Sequence, residues 1–161
     1  KALRALDGIL TKAEQYAREQ NLEEASLLEE RLAPDMFPLK KQIQVACDNA
    51  KGAVARLSGI EAPVHTDNET TFAELHARLQ KTLEFLATVS EETFQGADTR
   101  HITLPYFPGK YMTGFEYVRE YALPNFFFHV TMTYAILRRH GLNLGKADYI
   151  GGLPLKDLSS L

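Results

Sequence analysis

The sequence predicts an all-α protein, a four-helix bundle with one long crossover. Apolar residues recur at three- and four-residue spacing over four long stretches, which is the period of an amphipathic helix. Threonine–glutamate pairs typical of helix starts precede two of these stretches, and only one short segment alternates like a strand. The 161 residues are 45% hydrophobic and 24% charged, so we expect residues 1–161 to form a single domain with a substantial core.

The first two helices are predicted at residues 1–20 and 38–58. The first carries an apolar stripe of Leu3, Leu6, Leu10, Ala13 and Ala17. The second carries a stripe of Ile43, Ala46, Cys47, Ala50, Val54 and Leu57. Pro38 suits the first turn of the second helix, where its missing N–H leaves no bond unmade, and Gly59 suits its end. We expect Asp35 to cap this helix with its carboxylate.

The third and fourth helices are predicted at residues 71–89 and 113–140. Both begin with a capping box, in which a threonine and the glutamate three residues later each bond the other's backbone N–H, at Thr71–Glu74 and Thr113–Glu116. Proline has no N–H and clashes with the preceding helical turn. We therefore predict that the fourth helix is kinked or divided around Pro124.

The crossover, residues 90–112, joins the third helix to the fourth. It is punctuated by Gly96, Pro105, Pro108 and Gly109. Within it, His101–Leu104 alternates between polar and apolar residues, which predicts a small hairpin or an ordered loop. His101 could line the mouth of a pocket with Tyr106 and Tyr111, or all three could simply be exposed.

Composition excludes several classes of function. The net charge of −3 and the dispersed lysines and arginines form no basic surface for nucleic acid. No apolar run is long enough to span a membrane and no signal peptide is visible, so we expect a cytoplasmic protein without a membrane partner. The single cysteine, Cys47, excludes an internal disulfide and a cysteine-cluster zinc site. Its apolar neighbours predict a buried, inert thiol.

Two polar pairs interrupt otherwise apolar helices. Asn125 and His129 share one face of the last helix, and Gln44 and Asp48 share one face of the second, because residues four apart lie together on a helix. An unpaired buried polar group costs roughly 1–3 kcal/mol, so these groups need hydrogen bonds or a ligand. We predict that the four side chains form a polar pocket inside the bundle, where Asp48, Asn125 and His129 converge.

Two interpretations are open for the central residues of this pocket. His129 could be a metal ligand or general base, or a buried histidine that bonds Asp48 or Asn125 and so holds two helices in register. Asp48 could be a ligand or the carboxylate that orients His129, or it could face solvent.

Three consecutive phenylalanines, Phe126, Phe127 and Phe128, surround more than half of the last helix with aromatic rings. The core of one chain can take only part of that surface. The crossover, the C-terminal tail or a second subunit must cover the rest. We predict a homodimer that forms through helix faces.

Four motifs together resemble a domain-of-unknown-function family of the DinB/YfiT-like superfamily. They are Arg31–Pro38 followed by Gln42–Asp48, then Ala55–Gly59, Pro124–His129 and Gly145–Gly151. The resemblance covers nearly the whole chain and implies an up-down-down-up four-helix bundle that is often dimeric. The better-studied relatives that it implies are metal-dependent enzymes, among them thiol S-transferases that use mycothiol or bacillithiol.

The resemblance also implies where a metal would lie. Active relatives hold a divalent metal with three histidines, one on the second helix and two spaced i, i+4 on the last. The corresponding residues here are Asp48, or Gln44 as the alternative, together with Asn125 and His129. An amide is a weak ligand for zinc, so we expect no tightly bound zinc at neutral pH. An oxygen-seeking divalent cation or a water network matches these side chains better.

Two hypotheses of function follow from these observations. The first is a non-catalytic or divergent DinB-like bundle, whose polar pocket is structural or accepts a small molecule and which works as a dimer or with a partner. The second is a metal-dependent enzyme of the thiol S-transferase type. The metal content of the purified protein distinguishes them.

Overall fold

The computed structural model describes residues 1–158, which are mostly helical, as the sequence predicts. In chain order the helices are α1 (Ala2–Glu19), α2 (Glu24–Leu28), α3 (Leu39–Ser58), α4 (Phe72–Ala87), α5 (Gly114–Glu116), α6 (Leu123–Arg139) and α7 (Lys146–Ile150). A 3₁₀ helix, Glu91–Phe94, follows α4, and a π-helical segment, Tyr117–Ala122, joins α5 to α6. The first three long helices begin and end within two residues of the predicted bounds.

Both predicted capping boxes are confirmed. At the start of α4, Thr71 Oγ1 accepts from the N–H of Glu74 at 3.2 Å, and Glu74 Oε2 accepts from the N–H of Thr71 at 3.0 Å. The box at the start of α5 has the same two bonds. Gly59 ends α3 in the left-handed conformation, with φ of 80°, which glycine adopts without a steric penalty.

The start of α3 differs from the prediction. The residue that precedes the helix is Pro38, and it makes no side-chain hydrogen bond to the first turn. A capping side chain must stand directly before the first helical residue, so Asp35 lies too far upstream and its predicted capping role is wrong. Arg31 holds this turn instead, by donating to the carbonyl oxygen of Met36 at 2.5 Å.

The last long helix is not divided at Pro124. Backbone angles stay helical through Ala122 and Leu123, at −64°, −50° and −67°, −50°. What changes is the hydrogen bonding, because Tyr117–Ala122 forms π-type bonds and Leu123 donates five residues back, to Val118. A wider turn directly before the proline accommodates its missing N–H and its ring, so a π segment replaces the predicted break.

The core lies between α1, α3, α4 and α6. The predicted stripe of α1 is buried in full, and the buried part of the α3 stripe consists of Ile43, Ala46 and Cys47. α3 packs against α6 on one side and against α4 on the other, and α1 contacts α4, α6 and α7. A second apolar cluster joins the crossover to the π segment; its buried members are Ile102, Leu104, Tyr117 and Ala122.

The crossover contains the predicted hairpin. Strand β1 (His101–Ile102) pairs antiparallel with β2 (Met112–Thr113), so that His101 lies opposite Thr113. The chain then enters α5 at Gly114, where a Cβ would lie 1.7 Å from the carbonyl oxygen of Ala97. Only glycine permits that approach, which ties the start of the fourth helix to the crossover. His101 stacks on Tyr111 at 4.0 Å between ring centroids, and both are exposed together with Tyr106.

The three consecutive phenylalanines of the last helix differ in burial, because neighbouring residues of a helix point to different sides. Phe126 packs against the core, whereas Phe127 and Phe128 are 42% and 50% exposed. The apolar excess is therefore present on the surface of the chain. Within residues 1–158 no helix combines the length and the apolar character needed to cross a membrane.

Candidate ligand site between two helices

Polar side chains project from two opposite faces of α3. Successive helical residues turn by about 100°, so Gln42 and Asn49 project together, while Gln44 and Asp48 project about 200–240° away from Gln42. The first face contacts α6 and the second contacts α4. Of the four side chains predicted to share one pocket, Gln44 and Asp48 lie toward α4, whereas Asn125 and His129 contact the opposite face of α3. They therefore do not form one pocket.

The face toward α4, here called the ionic face, is organised around Arg78. Its guanidinium Nη2 lies 2.9 Å from a carboxylate oxygen of Asp48 and 2.9 Å from one of Asp67. Its Nη1 lies 2.9 Å from Glu69 and donates to the carbonyl oxygen of Thr66 at 3.3 Å. The Arg78 side chain is only 2% exposed, so these groups substitute for most of its hydration, while its Nε is buried and has no partner among the described residues.

The remaining members of the ionic face complete its charge balance. Lys51 Nζ lies 2.9 Å from Asp48, and Lys41 Nζ lies 2.5 Å from Asp67. Gln44 donates through Nε2 to Glu69 at 2.8 Å. Three carboxylates thus meet three cations, and the network fastens the loop before α4 onto α3. Asp48 is held on this face by cations, so it does not orient His129, and its predicted convergence with Asn125 and His129 is wrong.

The face toward α6, here called the polar seam, is joined by three hydrogen bonds. They are His129 Nδ1 with Gln42 Oε1 at 2.7 Å, Asn125 Nδ2 to Asn49 Oδ1 at 2.9 Å, and Arg56 Nη1 to the Tyr117 hydroxyl at 3.3 Å. The residues on α3 are seven positions apart in increasing order, whereas their partners on α6 and the π segment follow in decreasing order of residue number. The seam therefore runs along both helices, from a buried end at His129 to an exposed end at Arg56.

The hydrogen bonds around His129 define its tautomer. Gln42 Nε2 donates to the carbonyl oxygen of Phe37 at 3.0 Å, which turns Gln42 Oε1 toward the imidazole. An amide oxygen only accepts, so Nδ1 of His129 carries the proton and donates. Burial lowers the pKa of His129 below its ordinary value, so the ring is neutral at pH 7, and its Nε2 lone pair accepts no hydrogen bond from the described residues. The predicted partners, Asp48 and Asn125, are replaced by Gln42.

The amide pair in the middle of the seam is incompletely bonded. Asn49 Oδ1 accepts from Asn125, but Asn49 Nδ2 is buried and has no partner among the described residues. Leaving a buried donor unpaired costs roughly 1–3 kcal/mol, which a ligand atom that accepts from Nδ2 would recover. The seam therefore has a position that favours an acceptor atom.

The exposed end of the seam combines a cation with aromatic rings. The Arg56 guanidinium lies over the ring of Tyr117, 6.0 Å from its centroid. Tyr117 stacks on Tyr121 at 5.9 Å, and Phe107 from the crossover meets Tyr121 edge-on at 6.5 Å. Within residues 1–158, Arg56 forms no ion pair with a carboxylate.

Sequence reasoning found Asn125 and His129 but missed their partners on α3. The signal was present, because Gln42, Asn49 and Arg56 recur every seven residues and so share one face. The opposing polar series recurs every four residues and consists of Tyr117, Tyr121, Asn125 and His129. A polar period on two helices at once indicates a shared face more strongly than one i, i+4 pair does.

The donor set does not fit the metal that the resemblance implies. The α3 residue opposite Asn125 is Asn49, one position after the expected Asp48, and that single step turns the side chain by about 100°. Two neutral amides bonded to each other and one imidazole supply no charge to a cation. Within residues 1–158 no three histidine, cysteine, aspartate or glutamate side chains are grouped to hold a metal ion.

Two other features lie away from the seam. A cavity of about 950 Å³ separates α4 from residues 61–69, and its wall includes Arg78 and Glu74, which already serve the ionic face and the capping box. Cys47 is buried as predicted, and burial raises the pKa of its thiol to about 11. That thiol is protonated at neutral pH and is no nucleophile.

Comparison with known proteins places the chain in a family. Residues 1–150 match the family model of DUF1993, a domain of unknown function, so the chain belongs to that family. A crystal structure of a DinB family member protein from Shewanella denitrificans is 46% identical in sequence and superposes with a TM-score of 0.94, over 98% of this chain and 89% of that one. The predicted DinB-like relationship is confirmed. No curated protein matches the chain.

Proposed function

We propose that this DinB-like chain is a non-catalytic, metal-independent protein that binds a small molecule in the polar seam. The observation that carries the proposal is the Asn49–Asn125 amide pair, with its unpaired buried donor, at the place where the family resemblance implies a histidine and a metal. An amide pair binds by hydrogen bonding and supplies neither a strong base nor a nucleophile. Asn125 and His129 remain in the proposed site, whereas Gln44 and Asp48 do not.

A metal-dependent enzyme of the thiol S-transferase type is the second candidate, and one observation favours it. Metal-bound histidines donate their other ring N–H to an oxygen, which fixes the tautomer. His129 has that arrangement, because Nδ1 donates to Gln42 and Nε2 has no hydrogen-bond partner in residues 1–158. A single free imidazole nitrogen is nevertheless a weak site for a tightly held divalent ion.

The metal content of protein purified without a chelator tests the proposal. We expect less than stoichiometric zinc, nickel or iron, and ¹⁵N NMR shifts of His129 that are the same with and without EDTA. The matched control is His76→Ala, which removes a histidine paired with Asp7 at 2.5 Å outside the seam. One equivalent of metal that is lost in His129→Ala but kept in His76→Ala would contradict the proposal and establish the second candidate.

For the architecture we propose one domain, an up-down-down-up bundle of the four long helices, whose crossover is residues 88–113. The opposite directions of the paired residues on α3 and α6 support this arrangement.

We further propose a homodimer that covers Phe127 and Phe128, the exposed rings of α6. Light scattering at tens of micromolar should give a dimer mass, and Phe128→Glu should reduce it; a monomer mass for the unaltered chain contradicts the dimer.

A further inference from the structure

We infer that the exposed half of the polar seam is a carboxylate subsite, in which Arg56 and Asn49 hold the acid group of a small organic acid. The inference rests on the proposed function, since it names the chemistry of a ligand for the same seam. It depends on the placement of one guanidinium, on one unpaired amide and on the aromatic wall beside them.

The Arg56 guanidinium is folded back along α3 over Gly52. A Cβ on Gly52 would lie 2.6 Å from Arg56 Nη1, 3.6 Å from Cζ and 3.8 Å from Nη2, and these are its three nearest atoms. Glycine is disfavoured inside a helix, and at this position the Arg56 guanidinium occupies the space that a side chain would take. The glycine therefore lets the exposed Arg56 side chain lie against the seam face of α3.

Asn49 lies one turn before Gly52 on α3, so the guanidinium that folds back over Gly52 approaches the turn that carries the unpaired Asn49 Nδ2. Both are hydrogen-bond donors, and the guanidinium carries a charge that no carboxylate of residues 1–158 neutralises. Two donors, one of them cationic, match a single carboxylate. A planar guanidinium fork binds a carboxylate with two parallel bonds.

The aromatic rings beside Arg56 indicate the chemistry of the part of the ligand that carries the carboxylate. Tyr121 is half-buried between Tyr117 and Phe107, and Phe107 is 46% exposed. Tyr117 is only 2% exposed, so Tyr121 and Phe107 supply the accessible apolar surface next to the charge, which suits a flat aromatic or apolar acid better than a sugar phosphate. The π segment that carries Tyr117 and Tyr121 shapes this surface, and such segments often occur at functional sites.

The test uses benzoate as the probe, benzamide as its uncharged match and inorganic phosphate as the alternative anion, each titrated into ¹⁵N-labelled protein and followed by NMR. We expect benzoate to shift the Arg56 Nε–H and Asn49 side-chain signals at tens of millimolar. Arg56→Met should weaken binding about tenfold, since it removes a charge-assisted bond. Benzamide and phosphate should bind more weakly than benzoate.

Gly52→Ala separates a binding role from a structural one. The new methyl group displaces the guanidinium, whose far end is flexible, so Tm should be unchanged or higher while benzoate binding falls about fivefold. The matched control is Arg119→Met, which removes an exposed arginine stacked on Phe115 at 5.1 Å outside the seam. That variant should bind benzoate as the unaltered chain does.

Several outcomes would overturn the subsite. These are equal binding of benzoate and benzamide, tighter binding of phosphate, full binding by Arg56→Met or Gly52→Ala, or an Arg56 signal that benzoate leaves unmoved. If benzamide then still shifts Asn125 and His129, the subsite fails and the proposed function stands. If His129 instead holds one equivalent of metal, the proposed function fails whatever benzoate does.

Discussion

The two polar faces of α3 are built from similar residues and behave in opposite ways. On the ionic face, three carboxylates and three cations pair with one another around the buried Arg78, of which only Nε has no partner among the described residues. On the polar seam, neutral amides and a neutral imidazole leave Asn49 Nδ2 unpaired, and Arg56 forms no ion pair within residues 1–158. The two faces belong to the same helix and differ in whether their charges neutralise one another.

Charges that neutralise one another indicate a stabilising role, whereas an unneutralised charge beside an unpaired amide indicates a binding role. Charges that neutralise one another leave no net charge for a ligand, and on the ionic face only Arg78 Nε is left buried without a partner among the described residues of the network. Groups left unpaired destabilise the free protein and are retained where a ligand uses them, which is the usual trade between stability and function. Single substitutions on each face measure that difference.

Replacing Arg78 should produce the largest effect. Arg78→Met leaves Asp48, Asp67 and Glu69 clustered without their central cation, and breaking a buried ion network costs about 3–5 kcal/mol. Asp48 and Asp67 reach solvent, so the loss should fall near the lower end of that range. Urea denaturation followed by circular dichroism measures the free energy of unfolding.

The control for Arg78 is an exposed pair. Lys40→Met removes a cation from a surface pair with Glu29 and should change the free energy of unfolding by about 1 kcal/mol or less. If both variants lose the same amount, the ionic face contributes no more than a surface pair and the contrast between the faces is lost.

His129→Ala should have an intermediate effect. It removes the donor to Gln42 Oε1 and the ring that stacks on Phe37 at 6.4 Å, so we expect a loss of about 1–3 kcal/mol. His76→Ala, which breaks a partly exposed pair with Asp7, should lose about 1 kcal/mol or less. A loss for His129→Ala greater than that for Arg78→Met would reverse the ranking of the two faces.

Acid should weaken the fold in a window set by histidine. Burial lowers the pKa of His129, and it is also the main cause of the lowered pKa of His65. The unfolded chain then binds more protons than the folded one, so stability falls as pH drops below about 6.5 and is regained above it. His129→Gln should flatten the dependence of Tm on pH between 5 and 7, values that bracket the ordinary histidine pKa of about 6.5. An unchanged slope would show that the ring is hydrated.

The smallest effect is expected at Asn49. Asn49→Leu removes an unpaired buried donor, and Asn125, which is half-buried, can turn its amide to water, so stability should stay within about 1 kcal/mol or rise. The matched variant on the other face, Gln44→Leu, breaks a complete bond to Glu69 and should lose about 1–3 kcal/mol. The comparison fails if Asn49→Leu loses more than Gln44→Leu.

The helices could be predicted from the sequence because their signals are local. The apolar stripe of α1, the capping box at Thr71 and the stop at Gly59 each depend on residues within a few positions of one another. Pro124 was harder, because its effect depends on the turn before it. A π segment directly before Pro124 accommodates the proline, and no single residue in the sequence predicts that segment.

The candidate site could be predicted only in part. Asn125 and His129 are visible as a polar pair on an apolar helix, and they do lie on the seam. Their partners depend on which side of α3 faces α6. That side is set by the rotation of α3 about its own axis, which a single sequence does not determine. Asp48 and Asn49 are neighbours in the chain, yet one is bound to Arg78 and the other to Asn125.

The sequence by itself determined the helical class, the bounds of the long helices and the position of the hairpin, because period, caps and turn residues act over a few positions. The tertiary structure alone decided that Asp48 joins an ion network, that Asn49 faces Asn125, and that Arg56 lies over Gly52. Those contacts depend on how whole helix faces interlock, and the rotation of one packed helix about its axis is set by all of its buried side chains together.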